Sequence, residues 1–499
     1  MKNIKNSIGL VIILTIFMGC SDVVDFDPHD EYQVTEFDYL QTESDYRTMA
    51  VSCYTPTQWL NGVIVLGDLA SDNSVAGGEN ASDIVSLQQV DDYQILPNNS
   101  TIEDLWQSAY EGVNRTNYLI DYRDVNIAGD IIDFDGKEAL YGEVHFLRAF
   151  YYFNLVKMFG DVVLFTDYKL GLTDFGTLQR SPKEDVYAQM EIDLLQAIDV
   201  LPTAQSQEGR ITKYAAQALL GKIYLYQEKF EEAVPVLQNV VDGPFSLVSS
   251  MDDIFLPEGE NGSESVYEVQ YSNGQPYYNW DGQTRGQGNY AVQQCGVRGF
   301  NGTAAMPYNS GWSTNLPTQD LALAYEDGDQ RKEATTFDVE AYAANNPSLN
   351  VSYQVAPYKN TGLYNKKYLP RKGQTSGQVE LNYDNNQRTI RYSEVLLMAA
   401  EANLRAASAN QSLAQTYLDM VRDRAFGDQD HRVTATVQSI WDERRLELGM
   451  EGDRFFDLVR TGQVDSVLGG LGYNPATNGL FPIPQREIEI SGLSQNDGY

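Results

Sequence analysis

A mainly helical fold of stacked helix pairs, interrupted by one long loop-rich stretch, is what this sequence predicts. Apolar residues recur at steps of three and four over much of the chain, the spacing that gathers side chains on one helix face. The segment 211–243, ITKYAAQALLGKIYLYQEKFEEAVPVLQNVVDG, has the length and pattern of one tetratricopeptide unit, a paired-helix repeat of ~34 residues. Between 243 and 377 the helical period fades, and Gly, Asn, Tyr, Pro and Ser take over.

Taken in order, the first strong helix is expected over 101–122, where Ile102, Leu105, Trp106, Ala109, Val113, Leu119 and Ile120 share a face. Asn99 and Ser100 are its cap candidates. A second covers 137–159, KEALYGEVHFLRAFYYFNLVKMF, and stops at Gly160, a natural C-terminal breaker. A third opens at Ser181-Pro182-Lys183-Glu184, read as Ser at the N-cap, Pro in the first turn and Glu at the third position, and ends at Pro202. Within 211–243, Ala218, Gly221 and Tyr224 lie together, small enough for a partner helix to approach. A tight turn at 227–230 leads to the partner, which carries Ala233 and Leu237. One such unit cannot bury its own face, so neighbouring helix pairs must stack on it. A strand-like piece spans 265–271, and helices return at 388–407, 412–424, 439–448 and 454–460. Trp106 and Trp441 fall in these helices and are expected in the core.

The bulk properties exclude several functions. The chain has 499 residues, 42% of them hydrophobic, enough for a substantial core. Its formal charge is −35. Such a surface repels nucleic acid and does not dock on anionic lipid through basic patches. Tyrosine is abundant, 33 against 19 Phe and 5 Trp, and its half-wet ring suits polar ligands and interfaces.

The first nineteen residues read as a targeting segment. Lys2 and Lys5 precede an apolar run over 8–18, too short for a membrane span of ~20 residues. Gly19-Cys20 resembles a bacterial lipobox, with Phe17 where Leu, Val or Ile is usual. That makes Cys20 the expected lipidation site, and palmitate an expected modification. The acidic stretch SDVVDFD behind it resembles a surface-export signal. Cys53 and Cys295 remain in the mature chain, and spacing alone does not say whether they pair.

Catalytic motifs are wanting. The three histidines, His29, His145 and His431, have no ligand spacing, and neither a nucleophile elbow nor a phosphate loop occurs. No metal and no cofactor is therefore expected. A glycosidase needs two carboxylates facing a sugar. Glu443 and Glu447 stand one turn apart, but with Arg444 and Arg445 between them they read as scaffold electrostatics. Arg391 and Glu394, three apart, would be able to pair on a helix. Binding is better supported. Tyr277, Tyr278 and Trp280 stand beside Asn279, Asp281 and Arg285, and Tyr290, Arg298, Phe300, Tyr308 and Trp312 follow. An early loop offers Trp59, Asn61, Asp68, Asp72 and Asn73. Rings that stack on sugar faces, beside groups that bond hydroxyls, are a carbohydrate-binding pattern. From these, Trp59, Asp72, Asn73, Tyr277, Tyr278, Trp280, Arg298 and Trp312 are the expected ligand contacts.

Four stretches carry a family resemblance: LRAFYYFNLVKMFGDVVL (147–164), IRYSEVLLMAAEA (390–402), IWDERRLELGMEGDRFFDLVRTG (440–462) and LFPIPQREI (480–488). In order and spacing they resemble the signature blocks of the SusD/RagB family. The resemblance implies a signal segment over 1–19, a helical region over 20–242, a variable loop-rich region over 243–377 and a second helical region over 378–499. It also implies a ligand face built from the early loop and the loop after the tetratricopeptide unit. It further implies a non-catalytic lipoprotein on the outer membrane, partnered by a SusC-like TonB-dependent transporter and capturing glycan. Capture of peptide, as in RagB-like members, is the alternative, and a hydrolase on a helical scaffold is the rival from another class.

Overall fold

The computed structural model describes residues 39–166, 174–280 and 285–499. The targeting segment, Cys20 and Asp281 lie outside the described residues. The chain divides into two units, one of residues 1–48 and 122–134, the other of residues 49–121 and 135–499. In the smaller, the Tyr46 hydroxyl donates to the Tyr122 carbonyl at 2.8 Å, and its ring lies 5.9 Å from that of Phe134. A turn there is closed by the Asp130 N–H on Asn126 Oδ1 at 2.8 Å.

The scaffold helices are α1 (Glu43–Trp59), α2 (Gly62–Leu69), α3 (Ser100–Asp121), α4 (Lys137–Phe159), α5 (Lys183–Val200), α6 (Lys213–Tyr226), α7 (Phe230–Val241), α8 (Tyr392–Arg405), α9 (Gln411–Phe426), α10 (Val437–Glu447) and α11 (Arg454–Arg460). In the larger unit each of α3 to α8 packs on the next, and α8 also packs on α9 and α10. This is the stack of helix pairs the period predicts. Among the described residues, no helix is long and apolar enough to cross a membrane.

Local chemistry sets the boundaries. Asn99 Oδ1 accepts the N–H groups of Thr101 (3.1 Å) and Ile102 (3.2 Å) and so caps α3. Helix α4 is buried on nearly all sides, as a helix apolar all round must be, and breaks at Gly160 with φ 71°. Helices α6 and α7 form the predicted pair. A Cβ on Gly221 would stand 2.4 Å from Leu237 Cδ2, so only glycine lets the two helices come this close. Helix α5 starts later than expected. The Ser181 N–H is taken by the Val162 carbonyl at 2.8 Å, and Asp161 Oδ1 caps the Lys183 N–H at 2.9 Å instead.

Six short strands pair into three two-stranded sheets among the described residues. Strand β1 (Ser74–Ala76) pairs with β3 (Asn315–Pro317), β2 (Ser265–Val269) with β6 (Gln387–Arg391), and β4 (Thr336–Asp338) with β5 (Leu363–Asn365), all antiparallel. Strand β6 corrects the helix expected from 388: the first residues pair with β2, and α8 begins only at Tyr392. The same boundary takes away the helical spacing that would let Arg391 pair with Glu394. Arg391 sits on the strand and bonds Glu264 (2.7 Å), Glu447 (2.9 Å) and Glu451 (2.7 Å), while Glu394 meets Lys222 (2.9 Å) and Arg444 (3.2 Å). Glu447 also takes Arg424 at 2.5 Å, and Arg331 bonds both Glu443 (2.5 Å) and Asp329 (2.7 Å). All but Arg424 of these residues are almost wholly buried. Glu443 and Glu447 are thus held by guanidiniums inside the scaffold.

Cys53 and Cys295 are both buried and free. His145 is buried with Nδ1 3.0 Å from Asp193 Oδ1. Trp106 is a core residue, its ring 4.9 Å from that of Phe159, whereas Trp441 is only half-buried.

Candidate functional site

Two glycines build the site. The Gly311 N–H bonds the Val297 carbonyl at 2.8 Å, and Arg298 and Gly311 bridge in parallel. A Cβ on Gly311 would fall 2.2 Å from Gly296 Cα. The two segments cross at contact distance because both residues there lack side chains. Two residues on from Gly296 is Arg298, and next to Gly311 is Trp312, so the crossing sets these side by side. The Trp312 N–H is anchored on the Gln293 carbonyl at 2.8 Å, and Arg298 Nε donates to the Trp312 carbonyl at 3.2 Å. Arg298 Nη2 meets Asp83 Oδ2 at 2.5 Å.

Against half-buried Trp312 stands Trp280, 60% exposed, the ring centroids 5.7 Å apart and the planes tilted by 33°. Beside Trp312 opens a cleft of about 520 Å³ lined by Gln293, Arg298, Asn309, Lys372 and Tyr383, among others. Burial pushes the Tyr383 phenol up to about 12, and its hydroxyl donates to Gln293 Oε1 at 3.1 Å. Flat indole surface, amides, a phenol and cations thus share one opening. Such a set can stack on a pyranose and bond its hydroxyls.

The remaining residues named from sequence play other parts. Tyr278 braces the strip that carries Trp280: its N–H donates to Asn382 Oδ1 at 2.8 Å, Asn382 Nδ2 donates to its carbonyl at 3.1 Å, and its ring meets Tyr290 edge-on at 5.8 Å. The Tyr277 ring lies flat against Gly377, where a Cβ would come within 2.8 Å of its Cγ. Phe300 and Tyr308 belong to a hydrophobic cluster with Phe337 and Tyr364. The early loop is largely helix α2, because Val63, Ile64, Val65, Leu66 and Leu69 are all drawn into the core. Its polar residues turn inward. Trp59 is buried, its indole between the guanidiniums of Arg115 (5.1 Å) and Arg285 (4.9 Å), its Nε1–H on the Gly286 carbonyl at 3.3 Å. Asp72 is bound by Arg454 (2.7 Å) and Arg445 (2.9 Å). Burial opposes its charge, but those guanidiniums outweigh burial and hold the carboxyl below its usual range. Asn73 and Asn61 are fully buried, and Asn73 Oδ1 accepts from Arg445 Nε at 2.9 Å. Trp59, Asp72 and Asn73 do not line the cleft; they tie the early segment to the rest of the unit. Gln293, Asn309, Lys372 and Tyr383 were not singled out in the sequence, since scattered amides and a lysine in a loop carry no pattern.

Asp68 is buried on α2, accepting from the Gly452 N–H at 2.9 Å and Asn315 Nδ2 at 2.8 Å. Burial pushes its carboxyl up to about 7. A folded-state pKa above the unfolded one means that the folded protein holds its proton more tightly. This contribution is complete below the unfolded value and is lost as pH rises through about 7. Melting temperatures are expected to fall between about pH 4 and 7 in wild type, and the slope is expected to flatten in Asp68→Asn. An equal slope in both proteins contradicts this reading.

Comparison with known proteins gives a consistent picture. Residues 263–499 match the model described as the SusD family, and residues 27–225 match one described as starch-binding associating with outer membrane. A solved laminarin-binding SusD-like protein is 32% identical, with a TM-score of 0.82 over 92% of this chain and 100% of its own. The chain belongs to the SusD family. Surface glycan-binding protein A from Bacteroides thetaiotaomicron, solved in complex with laminarihexaose, is 28% identical to this SusD-family chain, with a TM-score of 0.80 over 91% of it and 99% of its own length. SusD-like protein P2 of Formosa agariphila is 25% identical over 99% of this chain and 100% of its own. The helical stack described above is therefore the SusD scaffold, and the crossing at Gly296 and Gly311 lies within the segment matched to the family.

Proposed function

We propose that this SusD-family protein is a non-catalytic, surface glycan-binding lipoprotein that captures a laminarin-type glucan and delivers it to a SusC-like TonB-dependent transporter. The observation that carries this reading is the exposed Trp280 ring set against Trp312 at a cleft lined with amides. The tilt between the rings suits a chain that curves from one sugar to the next better than a flat ribbon. Two structural relatives are named for laminarin binding or were solved with laminarihexaose, which supports the choice of glucan. In this reading Trp280 and Trp312 stack on the sugar, Arg298 bonds hydroxyls, and Tyr277 and Tyr278 hold the platform.

Calorimetric titration with laminarihexaose tests it. Saturable binding is expected, with little change between about 50 and 500 mM salt, because a neutral ligand offers no ion pair to screen. Binding of oligopeptides with no heat from laminarihexaose would overturn the reading.

The anchor is proposed at Cys20, from the apolar run that ends in Gly19-Cys20. Cys20→Ala is expected to abolish palmitate labelling and to remove the protein from the outer-membrane fraction. Unchanged labelling contradicts the assignment.

A further inference from the structure

The larger unit has a second concavity, about 890 Å³ against 520 Å³ for the Trp312 cleft. It lies where the C-terminal ends of α4 and α6, the start of α5, helix α11 and residues 495–497 come together. Its lining mixes aromatic rings (Tyr187, Tyr226, Phe456) with amides (Asn478, Gln495, Asn496). Among the described residues three cations there, Lys157, Arg180 and Lys183, form no ion pair with a carboxylate, although Asp453 and Glu394 act on Lys157, and Asp161 and Asp497 on Arg180, from farther off. The Lys157 ammonium rests over the rings of Phe456 (4.6 Å) and Phe153 (5.6 Å), with no acceptor at hydrogen-bond distance among the described residues. Arg180 donates only to neutral oxygens, the carbonyls of Asp161 (2.7 Å), Ser494 (3.1 Å) and Phe159 (3.2 Å) and Asn496 Oδ1 (2.5 Å). The chain has 70 acidic residues against 35 Lys and Arg, so such cations stand out. Carboxylates also line the cavity, but two are engaged: Asp161 caps α5, and Glu228 meets Arg405 at 2.8 Å. Glu184 and Asp497 complete the acidic groups there. Burial, with the charge of Lys222 nearby, outweighs the carboxylates of Asp453 and Glu394 and pushes the Lys157 ammonium down to about 8. An incoming anion would reverse that.

We propose that this cavity is a second ligand site, taking a short acidic sugar of the uronate type. Its carboxylate meets Lys157 in the positive field of Arg180, and its ring and hydroxyls meet the tyrosines and amides. Charge-assisted bonds of this kind are stronger than neutral ones. The site is separate from the glucan cleft and does not depend on the reading given for it.

The test is calorimetry with sodium glucuronate, with glucose and inorganic phosphate as comparators. Glucuronate is expected to bind wild type and Trp280→Ala alike. It is expected to bind Lys157→Met at least about tenfold more weakly, with recovery in Lys157→Arg, and glucose and phosphate are expected to be weaker by a similar factor. Bound glucuronate is also expected to protect Lys157 of the wild type from acetylation, a readout that needs no variant to fold. Equal binding of glucose, equal binding by Lys157→Met, or no protection overturns the proposal. Phosphate binding as tight as glucuronate reduces the site to an anion site and overturns the sugar. Loss in Trp280→Ala with retention in Lys157→Met moves the sugar to the cleft. Laminarihexaose binding by the same proteins reports separately on the glucan reading.

Discussion

Trp280→Ala is expected to weaken laminarihexaose binding from several-fold to about a hundredfold, with the melting temperature unchanged. The range corresponds to the ~1–3 kcal/mol of an anchor ring at an interface. Stability is spared because Trp280 is 60% exposed, so the fold gains little from its burial. Trp312→Ala is expected to lose affinity by a similar factor and also to lower the melting temperature, since that ring is half-buried beside the glycine crossing. The rings lie 5.7 Å apart, close enough for the two losses to be non-additive in a double-mutant cycle. Calorimetry on the single and double variants measures this. Wild-type affinity in both single variants puts the sugar elsewhere.

Arg391→Met is expected to destabilise the larger unit by about 3–5 kcal/mol, the loss seen when one partner of a buried ion pair is removed. Arg391 is bonded to three carboxylates at 2.7–2.9 Å, all buried with it. Without it, Glu264, Glu447 and Glu451 face one another with one cation fewer. Burial alone would push the Glu447 carboxyl up, but the charges of Arg424, Arg391 and Arg331 overcome that and hold it well below its usual range. The change is thus expected to cut the denaturation midpoint in urea sharply. At a temperature where the variant stays folded, its glucan affinity is expected to match wild type. A loss under about 1 kcal/mol contradicts the view that the cluster holds the helices together.

The scaffold was legible in the sequence because its signal is local. The 137–159 period survives as α4, and the small face at Ala218 and Gly221 does receive α7. Elsewhere distant partners decide the structure. Residues 387–391 pair with β2, more than a hundred residues earlier, and no period within RTIRYSEVLLMAAEANLRAA (388–407) announces that. Asp72 and Asn73 looked like ligand contacts because a polar cluster in an apparent loop reads as exposed. Their guanidinium partners, Arg445 and Arg454, lie near the other end of the chain. Aromatic enrichment pointed to Trp280 and Trp312, but not to their contact, since that depends on two glycines touching. The amides and Lys372 of the cleft become significant only once the segments around 293, 309 and 372 converge.

The crossing at Gly296 and Gly311 has a consequence for exchanging ligands. At Gly296 and Gly311 themselves the approach is main chain on main chain, with the Gly311 N–H on the Val297 carbonyl, and beside it Ser313 Oγ and Ser310 Oγ accept the N–H groups of Arg298 and Gly299 at 2.9 Å each. The Asn309 amide bonds the Arg371 carbonyl and the Trp280 ring meets that of Trp312, so the side chains at 280, 309 and 372 are not among the bonds that close the crossing. They form an interchangeable surface on a fixed frame, so sugar preference can be redesigned at the rim while the two glycines stay untouched.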